Sequence, residues 1–113
     1  MKEFMGLTIE LRARSEKFQE LRQVVLALLP PIRKEDDCIE SRIFNDMEND
    51  EIFLLWIQWR DAAALKRYLR SGSGSAILGA IDLLGEKVRV KIGAENCWEG
   101  IETLKKIRNK TVC

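Results

Sequence analysis

The amino-acid sequence predicts an α+β fold: a four-stranded antiparallel sheet with helices on one face, in the ferredoxin-like split βαβ order, plus a C-terminal helix. Three observations predict it. Apolar residues alternate at period two in four short segments and recur at helical spacing in the stretches between them. Turn residues separate the second and third short segments, so those two should pair as an antiparallel hairpin. Helical patterns fill the other two gaps, which then act as crossovers. A chain of 113 residues is one domain by size, large enough for a real core.

The first strand is Met5 to Ala13. Met5, Leu7, Ile9, Leu11 and Ala13 share one face, and Gly6, Thr8, Glu10 and Arg12 the other. Ser15 is an N-cap candidate for the helix that follows. There Phe18, Leu21, Val25 and Leu28 recur at helical spacing, with Val24 and Leu29 widening the stripe. Pro30-Pro31 should end this helix, because proline lacks the N–H and restricts its predecessor. Lys34 to Asp37 reads as a solvated charged loop. Cys38 to Met47 reads as the second strand, with Ile39 and Ile43 on one side and Glu40 and Arg42 on the other. Met47-Glu-Asn-Asp50 supplies the hairpin turn.

The third strand, Glu51 to Arg60, is apolar on both faces, as expected of a strand covered on both sides. Phe53, Leu55, Ile57 and Trp59 share one face; Leu54, Trp56 and Gln58 lie on the other. At Asp61, a good N-cap, the apolar period changes to 3.6, and a helix runs to Ser71. Ser71-Gly-Ser-Gly-Ser75 is the most flexible composition in the chain and reads as a break between helices. Ile77, Leu78, Ile81 and Leu84 mark a short helix that Gly85 is placed to end. Lys87 to Ile92 alternates again, with Val88, Val90 and Ile92 inward and Lys87, Arg89 and Lys91 outward. Ala94 to Cys113 carries Trp98, Ile101, Leu104, Lys105 and Ile107 in helical rhythm. The expected organisation is therefore a sheet domain over residues 1–93 and a C-terminal helical extension over 94–113.

Composition removes several function classes. Lys plus Arg is 19 and Asp plus Glu is 18, and the net charge of +1 gives no electrostatic case for nucleic acid or an anionic membrane. No apolar run reaches the length of a membrane span, and Met-Lys-Glu-Phe-Met-Gly has no apolar signal core, so a cytoplasmic location is expected. The three cysteines, Cys38, Cys97 and Cys113, are odd in number and form no CxxC pair. That argues against a disulfide framework and a thiolate metal site. Two packed thiols and one exposed terminal thiol are expected. Histidine is absent, which removes imidazole bases and imidazole metal ligands. No metal and no cofactor are expected.

The sheet face carrying Leu54 and Trp56, with Glu10 and Arg12 beside them, is too apolar on the third strand to remain in water. It is the expected homodimer face, through Trp56, Leu54 and Arg12.

The strand-to-helix junction at Trp59-Arg60-Asp61 is where function is best sought, since open α/β sheets tend to keep pockets at strand C-termini. Trp59 serves either as core or as a pocket wall that stacks a flat ligand. Tyr68 is either an amphipathic side chain with a solvated hydroxyl or a donor to a phenolate or carbonyl oxygen. Glu40 and Arg42 are expected to form cross-strand or dimer ion pairs. Ser71, Ser73 and Ser75 lack the lysine of a phosphate loop, so a lid or helix break is the better reading. Asp36 and Asp37 read as solvated carboxylates, and Trp98 as packing for the tail.

Leu21-Arg-Gln-Val-Val-Leu-Ala-Leu-Leu-Pro-Pro-Ile-Arg33, Cys38-Ile39, Phe53 to Trp59 and Asp61 to Ser71 together resemble the antibiotic biosynthesis monooxygenase family of dimeric α+β barrel proteins. The resemblance covers roughly residues 5 to 93. It implies a homodimer whose sheets pack face to face, with a pocket in each subunit between the sheet and the helices after the third strand. It implies cofactor-independent oxygenation of a small aromatic or quinol-type substrate, in which the substrate anion itself donates an electron to O2. Heme-degrading members use a histidine ligand, a strand-one asparagine and a tryptophan on the second helix. Leu78, Thr8 and Tyr68 stand at or nearest those places, so heme degradation is not expected. Quinol-oxygenase-like members often carry histidine where Tyr68 stands and near Ser73. The expected ligand-contacting set is Trp59, Tyr68, Leu55, Thr8, Leu78 and Ser73, with Tyr68 as the catalytic candidate. The missing histidines keep a second reading open: a non-catalytic dimeric ligand-binding or regulatory protein on the same fold.

Overall fold

The computed structural model describes residues 4–93 and 97–109. The strands are β1 (Met5–Ala13), β2 (Cys38–Asn45), β3 (Ile52–Trp59) and β4 (Gly85–Ile92). The helices are α1 (Phe18–Arg33), α2 (Ala62–Arg70), α3 (Gly72–Leu84) and α4 (Glu102–Asn109). The sheet order is β2-β3-β1-β4, and each neighbouring pair is antiparallel. Both crossovers therefore skip one strand, which is the split βαβ arrangement expected from the sequence.

The period-two faces decide which side of the sheet is dry. Leu7, Ile9, Leu11 and Ala13 of β1 are buried, as are Phe53, Leu55, Ile57 and Trp59 of β3. Between them Glu10 lies opposite Leu54 and Thr8 opposite Trp56, on the outer face. The helices cover the inner face through Leu21, Val25 and Ile32 of α1, Leu65 and Leu69 of α2, and Ile77 and Ile81 of α3. Leu104 of α4 is fully buried and joins the same core.

Several local expectations are corrected. Ser15 caps no helix: Arg14 to Lys17 close a tight turn with Glu16 at φ 64°, and α1 starts at Phe18 with no side-chain cap. That start sets Phe18 on Phe53, ring centroids 5.6 Å apart. Pro30 and Pro31 lie inside α1 instead of ending it. The carbonyls that lose their donors belong to Leu26 and Ala27, both exposed, where water can replace the missing bonds. Burial of Ile32 and the bond from Lys34 N–H to the Pro30 carbonyl (3.2 Å) hold the last turn.

On β2 a register shift between Cys38 and Glu40 breaks the expected alternation. Ile39 is half-exposed, while Ser41 joins Ile43 on the core side. β2 ends at Asn45 because the Asp46 carboxylate accepts the Glu48 and Asn49 N–H groups and turns the chain. β4 begins at Gly85, two residues earlier than expected, and Lys87 takes φ 52° where the ladder with β1 shifts register.

The Ser71–Ser75 stretch is not a break of several residues. It is the first turn of α3, and the two helices are separated by Ser71 alone. The Ser71 hydroxyl donates to the Tyr68 carbonyl (2.6 Å) and accepts the Gly74 N–H (3.0 Å), ending one helix and capping the next. Gly74 is required for close approach: a Cβ there would overlap the Tyr68 carbonyl oxygen and stand 2.8 Å from the Leu69 Cα.

In the tail the helix is short, Glu102–Asn109. Trp98 precedes α4, and the Glu99 backbone pairs with Val90 in an isolated bridge along the outer edge of β4. Trp98 takes Arg89 at 4.2 Å and Lys91 at 4.4 Å over its ring. The opposite edge, β2, has no strand beside it among the described residues. Cys97 is exposed rather than packed. Cys113 falls outside the described residues.

Gly74→Ala should lower stability by about 1–3 kcal/mol, since the contact is with backbone that has no room to yield. Gly79→Ala, on the open side of the same helix, should raise it by about 1 kcal/mol through helix propensity. Urea unfolding of both variants checks the pair; equal effects would remove the close-approach argument.

Candidate functional site

The β3–α2 junction is built by carboxylates. Asp61 accepts the Ala64 N–H at 2.8 Å and caps α2 directly after Trp59 and Arg60. Asp37, expected to be merely solvated, pairs with Arg60 (3.3 Å) and Arg67 (2.7 Å), tying the loop before β2 to both sides of the junction. From this fixed start α2 carries Tyr68 back over the end of β3. The Trp59 and Tyr68 ring centroids are 4.8 Å apart, with the planes inclined by 31°. Trp59 is 1% and Tyr68 3% exposed.

The polar atoms of this pair are poorly supplied. The buried Trp59 Nε1–H has no hydrogen-bond partner. The Tyr68 hydroxyl has one long contact, to the Ser73 hydroxyl at 3.4 Å. Burial pushes the Tyr68 pKa up, the Ser73 contact opposes that, and Glu35 and Cys38 push it further up. Tyr68 is therefore a neutral donor at ordinary pH. Burial likewise raises the Cys38 thiol, with the Ser41 hydroxyl pulling the other way, so Cys38 is no ready thiolate. The Ser41 hydroxyl has no hydrogen-bond partner of ordinary geometry.

The expected ligand-contacting residues separate into three groups. Trp59, Tyr68 and Ser73 come together. Leu55 and Leu78 lie in the core that surrounds them. Thr8 does not join: it alternates with buried Leu7 and Ile9, and sits on the outer face opposite Trp56. The Trp59 and Tyr68 rings touch, so no flat ligand fits between them as they stand. Leu54, Trp56 and Arg12 share the outer face, where no helix among the described residues covers them, and all three are half-buried. Arg42 pairs with Glu40 at 2.6 Å along its own strand rather than across strands. Of the serines, Ser71 caps α3 and Ser75 accepts from the Arg108 guanidinium at 2.6 Å. Among the described residues no three histidine, cysteine or acidic side chains gather as a metal site, and no helix is long and apolar enough to cross a membrane.

A second feature went unseen in the sequence. A groove of about 460 Å³ opens between α1 and β2, lined by Arg22, Arg33 and Arg42 over an apolar floor. Its residues come from three separate stretches, on α1, β2 and β3.

The family model for antibiotic biosynthesis monooxygenases matches residues 5–77. The chain belongs to that family. No curated protein sequence matches it. A Pseudomonas aeruginosa protein of known structure is 23% identical, with TM-score 0.77 over 86% of this chain and 98% of that one. A conserved protein of Methanosarcina mazei is 22% identical, with TM-score 0.71 over 80% and 91%. SnoaB of Streptomyces nogalater, a cofactor-independent oxygenase, is 10% identical, with TM-score 0.72 over 84% and 95%. At these identities the likeness is one of fold. The family match ends at Ile77, so the rest of α3, β4 and α4 lie beyond it.

Because burial favours the neutral phenol, the unfolded chain releases the Tyr68 proton first. The stability Tyr68 contributes is complete below its ordinary pKa of 10.0 and is lost as pH rises toward the raised folded value. The Tyr68→Phe chain lacks this loss. The difference in urea midpoint between the two should change above about pH 10, in favour of the variant. A difference that stays constant across that range would mean the hydroxyl titrates freely in the folded chain.

Proposed function

We propose that the chain is a cofactor-independent monooxygenase-like protein that acts on a small aromatic or quinol-type substrate, as a homodimer joined through the outer sheet faces. The observation that carries this is the Trp59–Tyr68 pair at the end of β3, whose buried indole N–H and protonated hydroxyl lack strong partners. Family membership supports it, as does the fold shared with SnoaB.

In such a reaction the substrate supplies the electrons. Its anion reduces O2; one oxygen atom enters the product and the other leaves as water with two substrate hydrogens. Tyr68 donates a hydrogen bond to the substrate oxygen and steadies negative charge there. Trp59 offers a face for stacking once the ring contact opens. Entry requires the Tyr68 ring to move off Trp59, and closure over the ligand then excludes water. The chain has no histidine, so the substrate's own acidity sets how much anion is present. The specific observation that favours the second reading, a non-catalytic ligand-binding or regulatory dimer, is that the aromatic pair is closed on itself and the chain has no histidine to serve it as a base.

Oxygen uptake with a panel of hydroquinones and naphthols, in chelated buffer, separates the two. The expected result is saturable uptake whose rate rises with pH through the substrate's ionisation, reduced about 10-fold or more in Tyr68→Phe. Uptake at the uncatalysed rate alongside saturable binding selects the second reading.

Trp56→Glu should shift the sedimenting species from dimer toward monomer or aggregate. A charge without a partner in a closed apolar interface costs several kcal/mol. A stable dimer in that variant removes the outer face as the interface.

A further inference from the structure

We propose that the groove between α1 and β2 binds a small organic anion: a carboxylate or phenolate carried on a flat or branched apolar body. The groove shares no residue with the Trp59–Tyr68 cluster, so the two readings stand or fall separately.

The floor of the groove is apolar and comes from both layers of the fold. Val25 and Leu29 descend from α1, Ile43 rises from β2, and Phe53 closes the end from β3. Leu26 forms its lip and is 45% exposed, a large apolar group left facing water; Phe44 stands opposite Leu54 and belongs to the outer face. A volume of about 460 Å³ lies within the range of small-molecule sites.

The rim is cationic. Arg22, Arg33 and Arg42 line the groove, and no Asp or Glu does. Their partners differ. Arg42 is neutralised by Glu40. Arg33 donates one bond, to the uncharged Ser41 carbonyl, at 3.3 Å. Arg22 has no hydrogen-bond or ion-pair partner among the described residues. Two guanidinium groups therefore keep their charge uncompensated beside an apolar floor. Guanidinium presents a planar fork of donors that matches a carboxylate, and phenolate oxygen is the next best fit.

A second recess, of about 380 Å³, adjoins the groove and shares Arg33 and Arg42 with it. Arg33 thus stands between the apolar slot on one side and the recess on the other, with no carboxylate partner among the described residues. An anion seated at Arg33, with its apolar body in the slot, supplies the counter-charge and covers the floor. A neutral apolar ligand leaves the guanidinium groups without a counter-charge, and a bare inorganic anion leaves the floor wet. The site selects for the two properties in one molecule.

The probe is 2-naphthoate, with 2-naphthylmethanol as its neutral analogue and acetate as its headgroup alone. Binding is followed by calorimetry on the full chain and by amide chemical shifts. The expected result is saturable 2-naphthoate binding, with shifts centred on α1, β2 and Phe53 and affinity falling as salt rises. The neutral analogue and acetate should each bind about 10-fold more weakly or worse. Arg22→Gln, whose side chain holds no structural bond, should weaken 2-naphthoate about 5-fold or more while leaving the melting temperature unchanged. Leu26→Ser should weaken it through the apolar half alone. Arg60→Ala, which disturbs an ion pair at the far junction, should leave it unchanged. Three outcomes overturn the proposal: no saturable binding, equal affinity for the alcohol, or shifts centred on Trp59 and Tyr68 instead of α1 and β2.

Discussion

The close approach of α3 to the C-terminal end of α2 holds the helical layer in place. The chain must cover the inner face of its sheet with helices drawn partly from one segment, residues 62–84, and that segment has to fold sharply at Ser71. The fold is possible because Gly74 has no side chain where the Tyr68 carbonyl passes. The Ser71 hydroxyl serves both helix ends at that point. With the elbow fixed, α2 is short, and Tyr68 lies over Trp59 rather than beyond the sheet. The packing constraint and the candidate site are therefore one feature. A wider elbow would leave the Trp59 indole in water and the inner face of β3 open at its end.

Most of the sheet was legible because alternation reports directly on a two-sided environment. The buried face of β1 matches its period-two pattern residue for residue from Leu7 to Ala13. Asp61 was legible because a cap has a local chemical signature. The misreadings share a cause: a residue type carried one meaning locally and another in three dimensions. Glycine and serine from Ser71 to Ser75 read as flexibility, yet Gly74 answers a steric demand from a residue on the preceding helix. Pro30 and Pro31 read as a stop, yet Ile32 gains more from burial than the exposed carbonyls lose. Ile39 followed the alternation until a register shift that no local signal announces.

The candidate site was legible in the same proportion. Trp59 and Tyr68 stood out from the strand–helix junction and do meet. Thr8 was carried by resemblance against its own period-two position, and the period prevailed. Arg22, Arg33 and Arg42 could not be grouped from the sequence, because only the seating of α1 against β2 brings them to one groove. Resemblance to a family finds positions that its members use; it does not group residues that only packing brings together.

The two edges of the sheet are unequal. The β4 edge is occupied at Val90 by the Glu99 backbone, while β2 has no neighbouring strand among the described residues. Sheets joined edge to edge grow without limit only when every member offers two free sides. Here one side is open along β2 among the described residues, and the other is blocked at Val90 by its bridge to Glu99. A strand approaching β4 has to displace Glu99 first, so the tail segment before α4 makes growth along that side costlier than pairing at β2.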